Sequence, residues 1–349
     1  MQVGLDIHIV ALIVFWLALL PLLHTYVVYP IMVFLIGITR NNPIKKHSFT
    51  SLPTVTVVIS LYNEETVLEE KMKNLEATNY PHEKLSILLG SDGSTDRTNA
   101  ILGRCEKSNV GVHVFPTRRG KAAVLNDLVA KSQGEVIVFS DANTNFQSDT
   151  IRRLVEPLAN TDVGAVCGEL VLLSDARTTG GLGERAYWKI ENMLKTYESR
   201  ISTVLGATGA VYAIRRSQIS PLPLGKVVMD DFLLPLGVVK RGFRIVYESR
   251  AVAFEKPSNS VEGEFRRRVR IAAANFNGIS EYASLLNPRH GFVAFALWSH
   301  KILRWIAPLL FLLVAGSSLL MAGSSSFFSL VLWIQVTFLL IALIGFVSD

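Results

Sequence analysis

The chain reads as an α/β domain built on an open, mostly parallel sheet and flanked by about three transmembrane helices. Three features carry that reading. Apolar residues crowd the two ends, β-branched runs alternate with helical periodicity between them, and acidic residues recur just after those runs.

Half of the 349 residues are hydrophobic, and the mean hydropathy of +0.35 is high for an enzyme that is soluble throughout. The excess divides the chain into an N-terminal anchor at 1–40, a central domain at 41–290 and a membrane segment at 291–349. The run 7–38 contains no Lys, Arg, Asp or Glu. At ~1.5 Å rise per residue it suffices for one tilted span and falls short of two. A cleaved signal peptide fits less well, because no basic residue precedes the run and no small-residue cleavage site is placed to end it. Segments 305–323 and 327–347 form two more spans. Only Ser324, Ser325 and Ser326 separate them, which forces a hairpin.

Basic residues set the orientation. Arg40, Lys45 and Lys46 follow the first span, Arg289, Lys301 and Arg304 precede the second, and the serine hairpin is uncharged. The positive-inside rule therefore puts the central domain in the cytoplasm, with an integral membrane protein of the bacterial inner (plasma) membrane as the expected setting. Segment 292–303 mixes Phe, Trp, Lys and His and suits the interface plane. The last span ends at Ser348 and Asp349 without a basic anchor, which points to an incomplete C-terminus.

The net charge of +6 raises nucleic acid as a partner. No nucleic-acid motif accompanies it, and contact with membrane lipid explains the charge as well, so no nucleic acid is expected. Cys105 and Cys167 stand far apart without CxxC spacing or a nearby His. A disulfide framework and a zinc site are both excluded on that basis.

Between the membrane segments, 55–61 is a β-branched strand, and 64–77 is helical with Leu68, Met72 and Leu75 on one face. Strand 85–89 follows, then a short helix from about Thr95, strand 112–115, helix 120–132 and strand 136–139. Continuous apolar strands in strand–helix alternation argue for a parallel sheet covered on both faces. A later helix at 186–200 carries Tyr187, Trp188 and Tyr197, for which core or membrane contact is a plainer reading than saccharide stacking.

Asn63 and Glu64 follow the first strand, Asp92 the second and Asp141 the fourth. Open α/β sheets bind ligands beyond the carboxyl ends of their strands. Three strands therefore deliver carboxylates to one edge. Asp96 fits a turn or helix-cap role equally well. Neither GxGxxG nor GxxxxGK[ST] is present, so a nucleotide must be held in another way.

These residues fall into motifs with a known order. SLYNEE (60–65), SDGSTD (91–96), RRGKAAVLN (118–126) and SDANT (140–144) resemble, in sequence and spacing, the signature of family 2 glycosyltransferases with the GT-A fold. TGAVYAIRR (208–216), MDDFLLPLGV (229–238) and FRRRVRIAAANF (265–276) continue it. The likeness is closest to the membrane-embedded branch that includes cellulose synthase and hyaluronan synthase, and it extends over nearly the whole chain.

The resemblance implies a nucleotide-sugar donor, a UDP-sugar in this branch, with Asn63, Glu64, Asp92, Lys121, Asp141 and Arg268 as its binding residues. Carboxylates suit ribose hydroxyls and the uracil N–H, which are donors. Lys121 would neutralise the diphosphate or flank the base; the alternative is a solvated lysine at a helix start. Asp141 stands where the family's DxD motif begins, implying a divalent cation, Mg2+ or Mn2+. Asn143 occupies the third position and adds an amide oxygen without charge, so a weaker metal site is expected. Asp231 matches the catalytic base of inverting transfer, with Asp230 beside it; the alternative is that both favour a helix dipole.

Arg268 falls on the arginine of the processive branch's QxxRW, whereas Phe265 and Val269 replace its Gln and Trp. Arg268 remains suited to a diphosphate, and Arg266, Arg267 and Arg270 equally suit anionic lipid. Loss of the Trp and the small number of spans favour single transfer to a saccharide or lipid-linked acceptor over processive polymerisation, unless a partner subunit or homo-oligomer completes a pore. A catalytically silent nucleotide-sugar-binding scaffold is the competing class. The sequence DAN favours it; the carboxylates at 92, 141 and 231 oppose it.

Overall fold

The computed structural model describes residues 2–40, 48–173, 179–256 and 261–348. Lys45 and Lys46, used above for orientation, lie outside them. The chain opens with α1 (Gln2–Leu23) and α2 (Tyr29–Thr39), joined without a break by a π-helical turn at His24–Val28. The central domain then alternates β1 (Val55–Leu61), α3 (Leu68–Glu76), β2 (Leu85–Asp92), α4 (Thr98–Cys105), β3 (Val110–Phe115), α5 (Lys121–Lys131) and β4 (Val136–Phe139). It continues with β5 (Thr144–Phe146), α6 (Thr150–Val155), β6 (Val163–Leu172), α7 (Thr179–Ile201), β7 (Tyr212–Arg215), α8 (Asp230–Lys240), β8 (Arg244–Glu255) and α9 (Val261–Tyr282). The chain closes with α10 (Phe292–Ala296), α11 (Leu303–Met321) and α12 (Ser326–Ser348).

All eight strands form one sheet in the order β3-β2-β1-β4-β7-β6-β8-β5. The four strands read from the sequence are parallel to one another. Beyond β4 the sheet is mixed: β7 is antiparallel to both neighbours, β6 and β8 are parallel, and β5 is antiparallel to β8. The mixed half follows from local connections that strand–helix periodicity does not reveal.

Both faces of β1 are buried, as its continuous apolar run requires. Val57, Ile59 and Leu61 pack with Leu68, Met72 and Leu75 of α3. Val58 faces the other way, with Val124, Leu125 and Leu128 of α5, and with Phe139 and Tyr212. That second core runs on to Tyr29 and Val33 of α2 and to Leu194 of α7, so the sheet rests directly on the helical segment. A third cluster, Phe15, Ala18, Leu310, Val314 and Phe328, binds α1 to α11 and α12.

Among the described residues three helices are long and apolar enough to cross a membrane: Ile7–Thr39, Phe292–Met321 and Ser326–Ile344. Segment 292–303 is continuous with the second of these through a π-helical turn at Leu297–Ile302. Its histidine is paired with α7. His300 Nδ1 sits 2.6 Å from Glu198 Oε1 of α7, which also accepts the Tyr29 hydroxyl at 2.6 Å. Arg304 pairs with Glu191. Charges paired in this way can be buried between helices rather than left at an interface.

Candidate active site

The loops after β1 and β2 are knitted together by short polar side chains. Asn63 adopts φ 56°, in the left-handed region that Asn tolerates better than most residues. Its Oδ1 accepts the Thr95 N–H at 2.8 Å, and its own N–H donates to Ser94 Oγ at 3.2 Å. Asp96 accepts the N–H groups of Glu65 at 3.1 Å and Thr98 at 3.0 Å. Its turn-and-cap reading is the one the geometry realises.

Asp92 is buried. Its Oδ1 accepts the Arg119 N–H at 2.6 Å, and its Oδ2 accepts the Gly120 N–H at 2.8 Å. The carboxylate is thus committed to the loop entering α5, where Gly120 holds a φ of 91° that favours glycine. Asp92 reaches the cleft through the lysine this loop presents. These bonds hold that loop and leave each carboxylate oxygen a further lone pair.

Lys121 is the meeting point. Its Nζ lies 2.9 Å from Asp141 Oδ1 and 3.0 Å from Asp230 Oδ1, with the side chain 42% exposed. Desolvation pulls its pKa down, but the two carboxylates prevail and lift it above the ordinary lysine value. Register explains the encounter. Because β7 is antiparallel to β4, Tyr212 opposes Phe139, and the start of β7 lies at the edge where β4 delivers Asp141. The two rings stack with centroids 4.6 Å apart, and the Tyr212 hydroxyl donates to Asp230 Oδ2 at 2.8 Å.

Asp230 and Asp231 occupy the first turn of α8, where the helix dipole favours negative charge. Their side chains have different surroundings. The Asp231 carboxylate lies against Gly209, and its pKa is pushed up to about 7 by burial, then by the charges of Asp230 and Asp141, against the pull of Lys121. Glu64 is likewise raised to about 7, by burial and then by Asp141 and Asp96. Glu64, Asp141, Asp230 and Asp231 therefore share one cleft around Lys121.

Asn143 donates from Nδ2 to Glu255 Oε1 at 2.9 Å. Among the described residues no three His, Cys, Asp or Glu side chains form a metal-ligand group. The residues that could hold a divalent cation are Asp141, through its carboxylate, and Asn143, through its amide oxygen. Such a set fits Mg2+ or Mn2+ when phosphate oxygens and water complete the shell.

Arg268 is exposed on α9, near Tyr187 of α7. The sequence reading passed over Tyr212 and Gly209, since a tyrosine on a short strand and a glycine before it resemble core and turn. It also passed over Tyr62, whose ring lies 3.9 Å beneath the Arg118 guanidinium at the mouth of the first loop.

Residues 56–220, which carry Glu64, Asp92, Lys121 and Asp141, match the family model described as glycosyl transferase family 2. Over that stretch the chain is similar to the family 2 glycosyltransferases. The chain is 28% identical over 252 residues to a probable glycosyltransferase, YdaM, of Bacillus subtilis, covering 68% of this chain and 58% of that relative. It is 24% identical over 225 residues to the poly-beta-1,6-N-acetyl-D-glucosamine synthase of Staphylococcus aureus, covering 63% of this chain and 54% of that relative. The chain thus spans little more than half the length of these relatives. Its fold is shared with a mannosyltransferase, PcManGT, of Pyrobaculum calidifontis solved with GDP-Man and Mn2+, at a TM-score of 0.71 and 21% identity over 96% of this chain and 92% of that one. The fold is of the GT-A type, a mixed α/β sheet combined, among the described residues, with three helices of membrane-spanning length.

Proposed function

We propose that the chain transfers a sugar from a UDP-sugar to a saccharide or lipid-linked acceptor, with inversion at the anomeric carbon, in polysaccharide or glycoconjugate synthesis. The observation that carries this reading is the placement of Asp231: a carboxylate in the first turn of α8, set against Gly209 and next to the Asp230 that Lys121 holds at 3.0 Å. A base whose pKa lies near working pH is best matched to proton transfer. Asp231 takes the proton of the acceptor hydroxyl as that oxygen bonds to the anomeric carbon. The bond from that carbon to the diphosphate oxygen breaks, and the nucleoside diphosphate leaves with the electron pair.

Lys121 supplies positive charge to the diphosphate, and its existing hold on Asp141 and Asp230 fixes its position beforehand. Asp141 and Asn143 would hold a divalent cation, which when bound neutralises charge on the leaving diphosphate. Asn63 and Glu64 border the nucleoside, with Tyr62 and Arg118 as a ready stacking pair. Arg268 serves the diphosphate only if α9 approaches the cleft in the donor complex.

The basic residues beside the apolar helices support a cytoplasmic site at the bacterial inner membrane. The name of the staphylococcal relative supports a polysaccharide product, whereas Val269 at the tryptophan position of QxxRW supports single transfer. The test is a donor-hydrolysis screen of the detergent-purified chain, scored by released nucleotide with and without Mn2+. The expected result is release from a UDP-sugar that Asp231→Asn abolishes while donor binding persists. Binding without turnover in every donor and acceptor pair would leave a silent scaffold, and turnover of GDP-sugars alone would correct the donor class.

A further inference from the structure

Leu68, Met72 and Leu75 set the buried face of α3, and Lys71 shares that face with 0% exposure. A methionine or leucine would fill the same space without taking an ammonium out of water, which is costly when no counter-ion accompanies it. Burial pulls the pKa of Lys71 down to about 7, and its surroundings supply partners for the protons it carries. One donates to Ser140 Oγ at 2.8 Å, one to the Thr144 carbonyl at 2.6 Å, and the third faces the Phe146 ring, whose centroid is 4.3 Å away. None of these acceptors is a carboxylate.

The two oxygens have a particular place in the chain. Ser140 immediately precedes Asp141, and Thr144 immediately follows Asn143. The buried ammonium thus grips both shoulders of the turn that carries these two residues, from the side away from the cleft. Internal bonds tighten the same turn: Thr144 Oγ1 donates to the Asp141 carbonyl at 3.0 Å. Ser140 Oγ also reaches the Ala210 carbonyl at 3.2 Å. Ala210 follows Gly209, against which the Asp231 carboxylate lies. One hydrogen-bonded path therefore runs from Lys71 through Ser140 to the segment that seats the base.

We propose that Lys71 is a positioning residue of the transferase site: from beneath, it fixes the Asp141–Asn143 turn and ties it to the Gly209 segment. The inference rests on the reading of that turn as the place where a cation and the donor diphosphate are held. A site with one carboxylate and one amide has little ligand charge to spare, so its affinity depends on how well those two groups are held in place.

The test uses the full chain in detergent, with Mn2+ binding followed by electron paramagnetic resonance in the presence of UDP, alongside donor KM and the thermal midpoint. Lys71→Met keeps the volume and removes the donors. It is expected to weaken Mn2+–UDP binding by about tenfold or more, the range seen when groups supporting a ligand are removed, and to raise donor KM in parallel. Ser140→Ala, which removes the relay while retaining the ammonium, is expected to move both readouts the same way by less. If Lys71→Met lowers only the thermal midpoint and leaves Mn2+–UDP affinity and KM unchanged, Lys71 merely fills the core and the proposal is overturned. Should that variant fail to fold, unchanged affinity in Ser140→Ala overturns it instead. Absence of Mn2+–UDP binding by the unmodified chain would remove the reading of the turn itself, an outcome distinct from the failure of Lys71 alone.

Discussion

Acidification will silence the transferase through one carboxylate. Asp231 must be ionised to accept the acceptor's proton, and its pKa of about 7 stands far above an ordinary aspartate because it is buried beside Asp230 and Asp141. At pH 7 about half of the base is ionised and two pH units lower roughly 1% remains so, and kcat/KM of the free enzyme should fall about 50-fold between pH 7 and pH 5. The assay is nucleotide release at subsaturating acceptor across that range. Asp230→Asn removes the neighbouring charge that ranks next after burial as a cause, and should move the acidic limb to lower pH. Linkage supplies a second reading of the same group. The folded state binds this proton more tightly than the unfolded chain, so stability is lost as pH climbs from the ordinary aspartate range to about 7. Asp231→Asn removes that loss, and should raise the thermal midpoint above pH 7 while abolishing transfer. A flat rate between pH 5 and 8, together with an Asn variant less stable than the parent at neutral pH, would refute the assignment.

Three further perturbations probe the geometry around that carboxylate. A Cβ at Gly209 would stand 3.0 Å from Asp231 Oδ2, so Gly209→Ala should displace the base and lower kcat with little change in donor KM; unchanged kcat would show that the seat is not needed. Tyr212→Phe deletes the buried hydroxyl that Asp230 accepts at 2.8 Å and should cost about 1–3 kcal/mol in denaturant unfolding, along with a loss of rate; an unaltered variant would show the bond to be idle. Thorough chelation should stop turnover and Mn2+ should restore it, with half-activation at higher metal than in an Asn143→Asp variant, since the added carboxylate supplies charge the native site lacks. Turnover that survives chelation would exclude a cation from the reaction.

The motifs placed Asp92 and Asp141 after parallel strands at one edge of the sheet, but they did not show which groups those side chains meet. The resemblance implies a donor contact for Asp92; the structure adds that the chain before Lys121 folds back over it, so that its two oxygens accept the backbone amides of Arg119 and Gly120. Lys121 had a solvated helix-start alternative, which its contacts to Asp141 and Asp230 replace. Neither contact has a signature in local spacing, because each joins groups far apart in the chain.

Periodicity and apolar runs determined the parallel strands β1 to β4, the helices between them and the helices long enough to span a membrane, since these depend on burial of neighbouring side chains at fixed intervals. The acidic residues were legible too, because the ends of parallel strands share one edge. Tertiary structure alone decided the antiparallel entry of β7. That register sets Tyr212 against Phe139 and brings Asp230 and Asp231 to Asp141 across about ninety residues of chain. It also decided that a lysine in an apolar stripe would lie beneath the turn that holds Asp141. Long-range pairing depends on which surfaces meet when the sheet closes, and the local sequence at each partner carries no record of the other.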